Sequence, residues 1–231
     1  VVALSTAQTA ALTTAQVAIG LSTAQIAVME TGDVRALTTD QVAALTTAQV
    51  AQGLTRTQIT NGLSTSQITA LSTAAIAALT TDQVDALTTG HVGRGLSTAQ
   101  VAALTTDQVV AMTSSQLNAL TTAQMAALTT DQLVALTTDQ ALNLTTTTIK
   151  ALTTKQIAVL ETSDIEQLTS SNIAILSAGQ LQALTTSQVA GLSTQQVFEM
   201  NTTTLQALTT RQIAALEKRD VAVLGTRSIE M

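Results

Sequence analysis

Few side chains in this sequence could do chemistry, and they are sparse enough to weigh one at a time. There is one histidine, His91, and no cysteine. A metal site or a nucleophile–base pair needs a second group at matched spacing, and none accompanies His91 between Gly90 and Gly93. Carboxylates pair three residues apart in three places: Glu30 with Asp33, Glu161 with Asp164, and Glu217 with Asp220. Such pairs could hold Ca²⁺ or divide acid and base roles. They also stand where helices would begin, and carboxylates there are favoured by the helix dipole, so capping is the plainer reading. Threonines recur at one fixed place (Thr14, Thr39, Thr47, Thr81), and stacked hydroxyls could match ice or carry O-glycans. Phe198, the one aromatic residue, reads as a local core or contact residue. No residue is assigned a catalytic, cofactor-binding or metal-binding role, and no enzyme is expected.

What positions these residues is a repeat, which is sought before any other organisation. A degenerate octad, Leu-Thr-Thr-x-Gln-Val-x-Ala, fills residues 1–231 as a single array. With Leu as position 1, units start at Leu4, Leu12, Leu21, Met29, Leu37, Leu45, Leu54, Leu63, Leu71, Leu79, Leu87 and Leu96. From there the step is a strict eight to Leu224, giving 28 starts. Four units carry one extra residue, ending in Gly20, Gly53, Gly62 and Gly95. Position 6 is apolar except at Thr9 and the small Ala141. Position 5 is Gln in most units, replaced by Asp33, Ala75, His91, Thr148, Asp164, Asn172, Thr204, Asp220 and Ser228.

Ser or Thr at position 2 with Gln at position 5 is the capping box of a helix start. Positions 1 and 6 are then the two sites of the hydrophobic staple, so each octad encodes a complete helix N-terminus. The helix is expected over the third to eighth residues, and Asp at position 4 (Asp40, Asp82, Asp107, Asp131, Asp139) suits its first turn. The extra glycines stand where a left-handed C-terminal residue would. A continuous helix fails, because eight residues overshoot two turns by about 80° and the leucines spiral around the surface. The expected fold is therefore all-α, a solenoid of very short capped helices, with a β-solenoid as the alternative. Helices so brief cannot stand alone in water. Leu, Val or Ile and the closing Ala of each unit must stack on neighbouring units, in an array stabilised through nearest-neighbour interfaces.

Composition narrows the function. Charged residues are 10% and the net charge is −6, with no Lys/Arg stripe, so nucleic acid is not an expected partner. A Thr, Ser or Gln interrupts every apolar run, so no membrane insertion is expected. The low charge implies a polar surface made of Thr, Ser and Gln. The chain begins Val1-Val2 rather than with Met, which suggests a processed chain or an excised segment.

The start Leu37-Thr38-Thr39-Asp40-Gln41-Val42 resembles the first helix start of the TAL-effector repeat, over about one octad. The base-reading loop has no counterpart, and DNA binding is not implied. More of the chain is similar to Thr/Ala/Gln-rich octad tracts of large bacterial secreted or surface proteins. That resemblance implies an extracellular or cell-surface structural role: a rod-like spacer, or a self-assembling filament or surface-layer element. Its partners would be further copies or neighbouring domains of a longer chain. An extended module binding ice, glycan or a protein surface is the alternative, and no cofactor is expected.

Overall fold

The computed structural model describes residues 4–227, which fall into two compact units divided between Leu120 and Thr121. Among the described residues every element is helical: 23 α-helices and four π-helical turns, with no strand. The β-solenoid alternative is thereby set aside. Most helices hold five or six residues and occupy the octad positions expected for them, as in Thr122–Ala127 and Thr154–Val159.

Most α-helices start at a complete cap. Thr129 takes an extended backbone and its side-chain oxygen accepts from Gln132 N at 3.2 Å, while Gln132 Oε1 accepts from Thr129 N at 2.7 Å. Each helix ends because the next Leu is also extended. Leu128 has φ −56° and ψ 135°, and its N–H closes the preceding turn on Met125 O at 3.2 Å. Two extended residues, Leu then Thr, therefore turn the chain between helices without any positive φ.

The staple residues form the core. Leu128 and Leu133 are 4% and 0% exposed, and most of their counterparts are buried in both units, Ile213 and Val221 near the C-terminal end being exposed. The closing Ala contributes less than its sequence position suggests: Ala103, Ala127 and Ala151 are only half-buried. Successive layers are set by packing every third octad. Thr122–Ala127 lies on Thr146–Ala151, Thr154–Val159 on Ala178–Ala183, and, in the first unit, Thr23–Ala27 on the turn Gln49–Gly53.

The four long octads are absorbed in a way the sequence reading does not anticipate. Gln16–Gly20, Gln49–Gly53, Gln58–Gly62 and His91–Gly95 widen into π-turns, with Leu54, Leu63 and Leu96 bonding back five residues. Their glycines are not left-handed, since no glycine among the described residues has positive φ. Three of them are there for close approach. A Cβ on Gly53 would lie 3.1 Å from Ile26 Cβ, one on Gly62 3.2 Å from Val34 Cβ, and one on Gly95 3.1 Å from Ile68 Cβ.

The octad expected to start at Leu224 forms no helix start of its own. Lys218–Arg227 runs through it as one ten-residue helix. Position 2 of that octad is Gly225, which has no side-chain oxygen to interrupt the helix with a new cap. Ser228 and Ile229 lie outside the described residues.

Candidate functional site

The one polar constellation that recurs in the interior is built on position 5. Capping requires only an acceptor there, which would suit a surface glutamine. Instead these glutamines are buried, Gln41, Gln108, Gln132 and Gln188 each being 2% exposed. From Gln41 onward the position-5 glutamines belong to the core, while Gln8, Gln16, Gln25 and glutamines at other positions, such as Gln52 and Gln182, share the polar surface with Thr and Ser.

Burial of an amide requires that its N–H₂ find acceptors as well. The acceptors are carbonyls at the end of an earlier helix. Gln156 Nε2 donates to Met125 O at 3.0 Å and Leu128 O at 2.8 Å. Gln196 does the same to Ile165 O at 2.8 Å and Leu168 O at 2.6 Å. In the first unit Gln108 reaches Ile76 O and Leu79 O, and Gln49 reaches Val17 O and Leu21 O. One side chain thus caps the start of its own helix and the end of another, satisfying orphan groups of both kinds. A signal for this second role is present in the sequence. A capping box accepts Glu as readily as Gln, yet Glu never stands at position 5. An amide can donate and a carboxylate cannot.

The substitutes sort by this rule. His91 is the Gln equivalent: Nδ1 accepts from Thr88 N at 3.3 Å and Nε2 meets Leu63 O at 3.0 Å. Both contacts together require the neutral ring with its proton on Nε2. Burial lowers its pKa, partly offset by the Leu63 carbonyl. Asn172 is shorter but still donates to Leu144 O at 2.9 Å. Thr148 turns to its own cap, with Thr145 Oγ1 at 2.8 Å.

The three acidic pairs cap only in part. Glu30 and Glu161 stand at N-caps without a side-chain cap bond. Their partners are buried, Asp33, Asp164 and Asp220 being 5%, 2% and 0% exposed. Asp220 finds donors in Thr194 Oγ1 at 3.1 Å and Glu217 N at 3.3 Å, with Arg219 Nε at 3.7 Å. Asp164 Oδ2 is buried and has no hydrogen-bond partner. Burial first, and the charge of Glu161 second, push its carboxyl up to about 6.

The remaining candidates stay on the surface. Asp at position 4 is exposed in each first turn, as expected, and Phe198 is 39% exposed. Thr at position 3 is exposed in Thr122, Thr130 and Thr138, while position-2 hydroxyls are engaged in the caps. An open groove of about 600 Å³ in the second unit is lined by Thr122, Thr146, Thr147, Ala151 and Ile175, with Lys150 its one charged group. Among the described residues no three His, Asp or Glu side chains gather into a metal-ligand cluster. No described helix is long and apolar enough to cross a membrane.

A family model described as the ALTTAQ repeat matches residues 26–61, 61–89, 94–114, 111–146 and 157–194, about two thirds of the chain. No curated protein matches the sequence.

Proposed function

Because the chain belongs to the ALTTAQ repeat family, we propose that it is a structural protein, a rod-like spacer or self-assembling surface element working outside the cell. The observation that carries this reading is where the polar groups go. The recurring amides at position 5, which in an enzyme or receptor would converge on a ligand, are spent on tying helix ends together. What faces solvent is Thr, Ser, scattered Gln and scattered charge. Such a chain resists local unfolding along its length and presents no convergent chemistry, which suits a spacer and argues against catalysis. Its partners are further copies or neighbouring domains of a longer chain.

Small-angle scattering tests the reading directly. A spacer of this length has a radius of gyration well above ~17 Å, the value for a compact domain of this size. A value near ~17 Å at all concentrations would refute it. One observation favours a second reading, a module binding ice or glycan: the exposed Thr at position 3 recurs in Thr122, Thr130 and Thr138. Against it, position 4 beside that Thr varies among Ala, Asp, Ser, Gly, Lys and Arg, which disrupts any lattice match. Thermal hysteresis by the isolated chain would promote the second reading.

A further inference from the structure

Burial along the array differs between its two ends. Each octad packs on the third one along, so three octads make one coil. From Met29 to Leu216 every position-1 residue is buried, but in the first coil Leu4, Leu12 and Leu21 are only half-buried. Position 6 is the reverse case. It is buried from Thr9 to Val197 and opens only in the last coil, where Leu205 is half-buried and Ile213 and Val221 are exposed. Position 1 is therefore covered by the coil before it, and position 6 by the coil after it. The outer face of the first coil offers leucines, and that of the last coil offers the side chains such leucines pack against inside each unit.

The polar groups divide in the same way. Gln8, Gln16 and Gln25 make their caps through Oε1, yet they are exposed, and their amide nitrogens reach no carbonyl among the described residues. At the other end the last amide tie, from Gln212, falls on Leu181 O and Leu184 O. The later helix-end carbonyls of Leu205, Leu208, Ile213 and Leu216 take no amide from the described residues.

Gly20 is an independent mark on the first face. Gly53, Gly62 and Gly95 leave room for a β-branched position-6 residue of the coil before, respectively Ile26, Val34 and Ile68. Gly20 holds the same place in its own π-turn with nothing over it, for a Cβ there would meet only Gln16 Cβ, at 3.9 Å. Ile213 and Val221 are side chains of the kind that fills such a socket.

We infer that the outer face of the first coil docks the outer face of the last coil of a second copy, head to tail, continuing the boundary that joins coils inside each unit. This rests on the structural reading above and names the surface through which self-assembly runs. The position-1 leucines meet Leu205, Ile213 and Val221, and the free amides donate to the partner's helix-end carbonyls. A unit that closes a repeat array presents a polar outer face, whereas these two faces are part apolar. Neither matches itself, since amide would face amide, so the contact is heterologous and repeats from copy to copy.

Sedimentation velocity of the full chain at rising concentration tests this, with the mass expected to climb through multiples of the single chain. Gly20→Asp, at a place open in the single chain, and Ile213→Asp, on an exposed side chain, each hold it monomeric with unchanged helical circular dichroism. Each leaves the opposite face intact, so an equimolar mixture of the two forms a dimer of unlike copies and stops there. Gln16→Glu keeps the cap acceptor and removes the donor; it leaves the unfolding midpoint in place and weakens association about tenfold or more. The inference is overturned by a chain that stays monomeric at every concentration, or by association that survives either Asp variant or is indifferent to Gln16→Glu. A mixture that stays monomeric or grows past the dimer overturns it equally. An elongated chain that never associates sinks this inference and leaves the spacer reading standing, while a compact chain that stacks in this way does the reverse.

Discussion

Replacing Gln156 by Glu isolates the donor half of the position-5 side chain. The acceptor half is kept, because a carboxylate oxygen can still take the Thr153 N–H that Gln156 Oε1 holds at 2.7 Å. What is lost is the pair of bonds to Met125 O and Leu128 O. Two buried neutral hydrogen bonds contribute roughly 1–3 kcal/mol together. The carboxylate must also be buried facing those carbonyls. Burial in the same register pushes the Asp164 carboxyl up to about 6, and burial of a glutamate here acts in the same direction at neutral pH. The expected cost at pH 7 is about 3–5 kcal/mol, the range for an uncompensated buried charge. Near pH 5 it shrinks toward the hydrogen-bond part, because a protonated Glu regains one O–H donor. Urea unfolding followed by circular dichroism reads this as a lower midpoint with unchanged slope, the deficit narrowing on acidification. Gln156→His serves as the permissive control, since His91 already makes both contacts. A cost below ~1 kcal/mol for Gln156→Glu, or one independent of pH, would refute the view that the amide is retained for its N–H₂.

Other expectations follow from the same geometry. Leu128→Ala costs about 2–5 kcal/mol and Thr129→Ala about 1 kcal/mol in the same unfolding assay. Gly95→Ala costs about 1–3 kcal/mol, because the new Cβ meets Ile68 and Thr65 O, whereas Gly20→Ala, whose nearest neighbour is Gln16 Cβ at 3.9 Å, is neutral or slightly stabilising. The lowered His91 pKa means the folded chain binds that proton less readily than the unfolded chain. Stability therefore falls as pH drops through the unfolded value near 6.5, and His91→Gln removes that decline. Asp164 acts in the opposite sense: its contribution is present below the unfolded carboxyl pKa near 3.9 and is lost as pH rises through about 6. Asp164→Gln, measured in parallel, flattens that slope and stabilises the chain at pH 7.

The local half of this fold was legible in the sequence and the non-local half was not. Thr129 and Gln132 declare a helix start through a three-residue spacing, and Leu128 and Leu133 declare the staple, because all four residues lie within one octad. The partner carbonyls of Gln156 lie 28 and 31 residues away, and backbone carbonyls have no residue type to search for. Only the absence of Glu at position 5 points to them. The acidic pairs stand at helix starts as expected, but the burial of their position-5 members becomes visible only once the next layer is laid over it. The glycines at 53, 62 and 95 read from sequence as left-handed helix ends. Their true constraint, the side chains of Ile26, Val34 and Ile68, again comes from another layer.

The reach of the glutamine ties also fixes how the chain must fold as it grows. Each tie closes a loop of 28 to 33 residues wherever it falls, so adding octads lengthens the array without lengthening any loop. Relative contact order falls as units are added, and the entropic cost of closure per unit stays constant. A newly made octad has nothing to hold its carbonyl end until about four octads have emerged behind it. Synthesis therefore carries a moving window of some thirty unsecured residues, ahead of which the chain is already locked. Whole octads can be gained or lost by duplication or deletion without disturbing that window. A single inserted residue shifts every tie that spans it unless a π-turn takes it up at once.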